Sequence, residues 1–361
     1  MRGARRVLGI VLAFMLLPGC WDQKLLSNSI IMLAYGIDLS ESGQLSSSLY
    51  LVSGENKIEV VTVNGLTPRD TKMNANQRLA GNVEASKNRL ILISDAAAKK
   101  GVYPYLDVFY RDPISALNAK IGIVEGSTER LLKLYSTKST RLLIEKLFVS
   151  SEEVSSSPVI DVQDLNRLIS DDGTDAVIPY LAVNDKDEVV VTGSAMFHRE
   201  FLHGKLTLRE SEMLILMRNK LKNAMRIETH TSDISGIRGF LSSNVVGADS
   251  KVRVSMKGGQ VLASVDMDLR VQLVEYPERF YMEKSADLHE LEVAYEKELE
   301  KQAVQVFKHL QQANCDALGL SRRLQSFHPR LWKSLDWEKD YAKVQFQPHI
   351  RVKIIGTGIL N

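Results

Sequence analysis

The sequence predicts an α+β protein of more than one domain, with mixed and antiparallel β-sheets packed against helices. Three patterns carry this expectation. The first half alternates short apolar, β-branched runs with helical stretches. The last third holds two runs of period two joined by Gly258-Gly259, and a pattern of helical period extends from Ala286 to Asn314.

Met1 to Arg6 is basic and Val7 to Leu17 is an uninterrupted apolar run. As a helix that run reaches only about 16 Å, short of the roughly 30 Å hydrocarbon core, so it reads as an export signal rather than a membrane span. Leu17-Pro18-Gly19-Cys20 then has the order of a lipobox, although Pro18 stands where a small or β-branched residue is commoner. Residues 1–19 are expected to be removed, leaving Cys20 as the first residue with a diacylglyceryl group on its thiol, and residues 20–29 as a lipidated tether.

Ile30 to Asp38 reads as a buried strand. Glu41-Ser42-Gly43-Gln44 is a turn, and Leu45 to Val52 and Ile58 to Val63 are further strands. Asn74 to Ala85 is expected as a helix, Arg89 to Ile93 as a short strand and Tyr105 to Tyr110 as a helix stopped by Asp112-Pro113, before a strand from Ala116 to Val124. Between Gly126 and Phe148 the stripe Leu131, Leu132, Leu134, Tyr135, Leu142, Leu143 and Leu147 is helical, with a break near Ser136 to Thr140. Asp161 caps a short helix through Ile169. Asp171-Asp172-Gly173 then turns the chain into a strand from Ala176 to Val183, followed by the loop Asn184 to Asp187 and a strand from Val189 to Phe197.

An N-terminal α+β domain is therefore expected over 30–190 and a C-terminal α+β region over 191–361, divisible into about 191–285 and 286–361 with exchanged strands. In the latter, Thr207-Leu208-Arg209-Glu210 is a capping box opening a helix through Met217. Val252, Val254 and Met256, then Val261 through Leu273 at odd positions, form a long hairpin. Leu288, Leu291, Tyr295, Leu299, Ala303, Phe307 and Leu310 form the core stripe of the helix 286–314, with Glu and Lys outside. The alternation from Val344 to Ile354 is a half-buried final strand.

Composition excludes some functions. With 46 basic against 44 acidic residues, nothing in the charge balance suggests a nucleic-acid partner. Of the two cysteines, lipidation consumes Cys20, and Cys315 reads as a small core side chain rather than a nucleophile. His198-Arg199-Glu200-Phe201-Leu202-His203 is the cluster most like a metal site, but it lacks the HExxH order and its rings need not converge, so no metal is expected there. Arg111-Asp112-Pro113 reads as a helix stop and Asp38 as a strand-end residue holding a turn, not as an acid catalyst. GxGxxG, P-loop and GxSxG patterns are missing, so no catalytic residue and no cofactor is expected.

Gly19-Cys20-Trp21-Asp22, Gly36-Ile37-Asp38, Leu106 to Pro113 followed by Ala119 to Val124, Ile178-Pro179-Tyr180-Leu181, Gly193 to Phe197 running to Glu210, Pro329 to Lys333, and Val344 to Gly358 occur in an order that resembles the Ger(x)C spore germination lipoproteins. One departure is Leu25, which stands where the family usually has an acidic residue. The resemblance implies a non-enzymatic C subunit of a nutrient germinant receptor. Such a subunit sits on the outer face of the spore inner membrane through diacylglyceryl Cys20 and works with integral-membrane A and B subunits. Two other readings compete: a lipid-anchored extracytoplasmic small-molecule binding protein, which needs an aromatic-lined pocket between domains, and a hydrolase. Aromatic residues are only 7% of the chain and unclustered, which favours assembly over capture.

Overall fold

The computed structural model describes residues 29–40, 42–53, 57–79, 81–137, 143–230, 240–275 and 285–356, together with Gly3. Cys20 and the tether preceding Ser29 lie outside the described residues, as does the signal segment apart from Gly3. The fold is α+β, and the described residues form two sheets.

The first sheet has nine strands: β1 (Ser29–Leu39), β2 (Leu45–Val52), β3 (Ile58–Gly65), β4 (Asn82–Glu84), β5 (Leu90–Ser94), β6 (Lys120–Val124), β7 (Val177–Val183), β8 (Val189–His198) and β9 (Phe201–Thr207). Their order is β3-β2-β1-β5-β6-β7-β8-β9, with β4 also on β1. β1, β5, β6 and β7 run parallel, while the flanking pairs are antiparallel. The central strands read as apolar runs because both faces are covered: every residue of β5 is buried. One face holds α1 (Pro68–Arg78), α2 (Asp95–Ala98), α3 (Tyr103–Arg111) and α6 (Val162–Ile169), through Ala75, Ala97, Leu106 and Leu165. The other holds α4 (Thr128–Thr137) and α5 (Leu143–Glu153), through Leu131, Leu132, Tyr135 and Phe148.

The second sheet runs β10 (Met225–His230), β11 (Phe240–Lys257), β12 (Gln260–Glu275), β13 (Gln345–Gly356). The expected hairpin is present, with the odd residues Val261 to Leu273 of β12 buried. Against this face pack α7 (Leu208–Met217), α8 (Ser285–Gln312) and α9 (Leu320–Phe327). Short α10 (Pro329–Trp332) and α11 (Trp337–Asp340) lead into β13, which pairs parallel to β12. Along the free edge of β13, carboxylates of α8 accept backbone N–H groups: Glu300 from Ile350 (3.1 Å), Glu296 from Val352 (2.9 Å) and Glu292 from Ile354 (2.9 Å).

Several elements differ from expectation. The helix expected at Asn74–Ala85 is α1 at 68–78, because Thr67 caps it by accepting from Asp70 N and Pro68 sits in its first turn, a start signal that outweighs the later apolar spacing. Residues 82–84 are a strand on β1 instead. The strand expected from Ala116 begins at Lys120, and the helical stripe ending at Phe148 continues to Glu153. The β8–β9 hairpin turns at Arg199-Glu200 with Arg199 at φ 53°, a left-handed position that usually takes glycine or asparagine, so its sequence lacks the ordinary turn signal. This hairpin extends the first sheet past residue 190, while Met196 and Leu206 also enter the core of the second body.

Candidate functional site

Cys20 lies outside the described residues, and the first residue described after it is Ser29. Ser29 opens β1, a central strand of the first sheet. Nine residue steps separate Ser29 from Cys20, a length of chain that reaches about 30 Å at most when fully extended.

Gly36-Ile37-Asp38 joins that strand to a distant helix. Asp38 holds the N-terminus of α4: Thr128 N donates to Oδ1 (2.9 Å), while Glu129 N (3.1 Å) and Thr128 Oγ1 (2.9 Å) donate to Oδ2. The carboxylate thus meets the positive end of the helix. Gly36 permits the approach, since a Cβ there would run into Thr128 Oγ1. Asp38 is a structural acid, and the turn expected around it is a cap spanning some ninety residues of sequence. Asp38→Ala is expected to lower stability by about 2 kcal/mol, with Asp38→Asn in between, read as urea midpoints.

A polar cluster joins the two sheet bodies. Asp175, just before β7, accepts from Arg199 N (2.9 Å) and Asp316 N (2.8 Å). His198 Nδ1 lies 3.5 Å from Asp175, and its Nε2 is 2.9 Å from Glu338 on α11, which Arg199 also holds (2.6 Å). Asp316, buried between α8 and α9, accepts from Leu320 N (2.8 Å) and Ser321 N (2.7 Å). Cys315 is fully buried with its Sγ toward Ala176 O, and burial pushes the thiol well above its ordinary range, which removes it as a nucleophile.

The cluster should respond to pH. The Asp175 hydrogen bond, aided by the charges of Asp175 and Glu338, raises the pKa of His198 against its burial. Glu338 makes the shorter contact but is about half exposed, so solvent screens it more. Burial pushes Asp316 up to about 6, against its hydrogen bonds from Ser321 and Leu320 and with help from the nearby Asp175 charge. Both groups have raised folded-state values. The Asp316 contribution is present below its unfolded value near 3.8 and lost as pH rises through about 6; the His198 contribution is present below 6.5 and lost as pH rises through its raised value. Urea midpoints should therefore fall from pH 5 to pH 8, and His198→Gln should flatten the upper part of that fall.

The remaining candidates have structural placements. Arg111 pairs with Asp107 one turn back (2.8 Å), and Asp112 Oδ1 accepts from Ile114 N. The rings of His198 and His203 do come together, edge-on at 5.7 Å, where the register of the β8–β9 hairpin shifts and leaves His203 as the extra residue between Leu202 and Gly204; yet His198 is taken up by its carboxylates. Among the described residues no group of three His, Cys, Asp or Glu side chains could hold a metal ion. The stripe of α8 is core, with Leu291, Tyr295, Leu299, Ala303, Phe307 and Leu310 all buried. A hollow of about 470 Å³ on the open face of the second sheet is lined by charges, among them Arg253 paired with Asp266 and Arg351 with Asp268.

Known proteins match both halves of the chain. Residues 22–183 match the family described as spore germination protein N-terminal domain, and residues 192–358 that described as spore germination B3/GerAC like, C-terminal. The chain is 21% identical to spore germination protein GerQC of Bacillus cereus, over 98% of this chain and 99% of the relative. It is 22% identical to spore germination protein KC of Bacillus subtilis (strain 168), over 98% and 95% respectively. The crystal structure of the GerBC protein shares the fold, with a TM-score of 0.60 at 17% identity, covering 92% of this chain and 100% of that one. The chain belongs to the Ger(x)C family of spore germination proteins.

Proposed function

We propose that the protein is the non-enzymatic, lipid-anchored C-type subunit of a nutrient germinant receptor. It is held at the extracytoplasmic face of the cell or spore inner membrane by diacylglyceryl Cys20 and works by assembly with integral-membrane A and B subunits. The observation that carries this reading is the pair of germination-family matches running in succession over both sheet bodies. The roles of the polar residues fit an assembly subunit: Asp38 holds the N-terminus of α4, and His198 and Arg199 hold Glu338 across the two sheet bodies. The lipobox and a tether of about 30 Å at most keep the body beside membrane partners, raising local concentration so that modest contacts suffice. Among the described residues no helix is long and apolar enough to cross a membrane.

A tagged chain captured from detergent-solubilised spore membranes should bring A-type and B-type subunits with it, and deletion of the gene should abolish the response to at least one nutrient. Spores that lack the protein yet keep every nutrient response, with no integral-membrane protein co-purified, would refute the assignment. Micromolar binding of a nutrient by the isolated chain would replace assembly with capture.

A further inference from the structure

We infer that the segment from Phe327 to Trp337 is a face that rests on the lipid bilayer bearing the chain's own anchor, an inference that depends on the lipid-anchored reading of Cys20. Phe327 at the end of α9 is 75% exposed. Arg330 and Lys333, close by in sequence, are exposed, and among the described residues neither enters an ion pair. The acids of the same stretch are already neutralised: Asp336 by Lys339 (2.6 Å), Glu338 by Arg199 (2.6 Å) and Asp340 by Lys343 (2.9 Å). The unspent charge is thus positive, matching anionic headgroups, and it follows an exposed aromatic residue within six positions of the chain.

Trp332 and Trp337 give this face a rigid backing. Both are half-buried, with ring centroids 5.8 Å apart. Trp337 lies 5.5 Å from Tyr341, Tyr341 6.2 Å from Phe307, and Phe307 stacks on Phe346 at 4.3 Å. A ladder of rings therefore runs from the core of the second body to the surface and ends in indoles, side chains with an apolar body and one polar N–H that suit the headgroup region. The third tryptophan, Trp21, follows the anchor cysteine in sequence.

The strand registers put this face at the end of the first sheet from which the tether leaves. Ala34 pairs with Leu90, Leu90 with Lys120, Ile123 with Tyr180 and Val177 with Met196. Counted along these pairs, Ser29 lies a few residues, about 10 Å at the rise of a strand, beyond the level of His198. His198 and Arg199 are the residues that grip Glu338 beside Trp337. Leu66, still more exposed at 85%, follows β3, whose last residue pairs with Leu45 opposite Leu39, so it lies at the far end of β1, about 30 Å away by the same rise. Exposed apolar side chains thus occur at both ends, but the tether leaves from one.

The test uses the lipidated chain in phosphatidylglycerol-containing vesicles, with a fluorophore attached to Phe327→Cys or, separately, Leu66→Cys; Cys20 is consumed by lipid and Cys315 is buried. The expected result is loss of iodide quenching together with quenching by lipid-borne nitroxide at position 327, and free iodide quenching at position 66. Adding Arg330→Glu and Lys333→Glu should restore iodide access at 327. A chain that floats with the vesicles while position 327 is as open as position 66, or with both equally shielded, overturns the bilayer face and leaves the anchor standing. A chain that does not float overturns both.

Discussion

Replacing Cys20 by alanine is expected to move the chain almost completely from the membrane to the soluble fraction while leaving the urea midpoint of its body unchanged. Each buried methylene contributes about 0.8 kcal/mol, and one acyl chain alone gives an association constant of only about 10⁴ M⁻¹; two chains convert this into stable retention. In the proposed anchor both are carried on one sulfur, so its removal takes away the whole term. The folded body is expected to be untouched, because its first described strand begins nine residues later at Ser29, and among the described residues no core side chain precedes β1. Export through a signal that is cut without a lipobox keeps the apolar run Val7 to Leu17 out of the comparison. Alkaline-washed membranes from cells expressing parent and variant, probed for the chain, provide the measurement, with mass spectrometry of the mature terminus beside it. A variant retained as firmly as the parent would exclude lipid as the anchor.

The same contrast between local and distant partners explains what could be read in the sequence. Period-two and helical spacing report the face that each residue presents, so the β12 alternation, the α8 stripe and the capping box at Thr207 were legible: each is decided within one element. The β8–β9 hairpin was not, because Arg199 takes a left-handed turn position on the strength of tertiary contacts, its N–H held by Asp175. The role of Asp38 was half legible. A strand-end acid announces a turn, but the helix it caps lies ninety residues downstream, and the close approach that the missing Cβ at Gly36 allows shows only in the structure. In the candidate site, His198 and Cys315 stood out by residue type. Asp175, Asp316 and Glu338, which give the cluster its pH response, did not, because isolated acids in a chain with 44 of them carry no signal of their own. The glutamates of α8 are the clearest case: by spacing they belong to a solvated helix face, and the structure turns three of them inward to a strand.

That turn has a geometric cause and a large consequence. Four residues of helix rise about 6 Å and two residues of strand about 6.6 Å, so glutamates at every fourth position of α8 keep step with alternate residues of an antiparallel neighbour. Glu292, Glu296 and Glu300 accordingly meet Ile354, Val352 and Ile350, whose N–H groups point away from β12. The preceding outward position is Pro348, which has no N–H to offer. The edge of the second sheet is thereby closed from Pro348 to Ile354, whereas an open edge would be a template for another strand. Replacing all three glutamates by alanine is expected to lower stability by about 3 kcal/mol, at roughly 1 kcal/mol for each lost hydrogen bond on a partly solvated edge. It should also drive concentration-dependent self-association through β13. Replacement by glutamine, which keeps an acceptor oxygen at each position, should retain most of the stability and the sedimentation behaviour of the parent. Urea midpoints and sedimentation velocity on the three proteins decide the matter: an alanine variant that matches the parent in both would show that the carboxylates merely decorate the helix and that the edge is protected by something else.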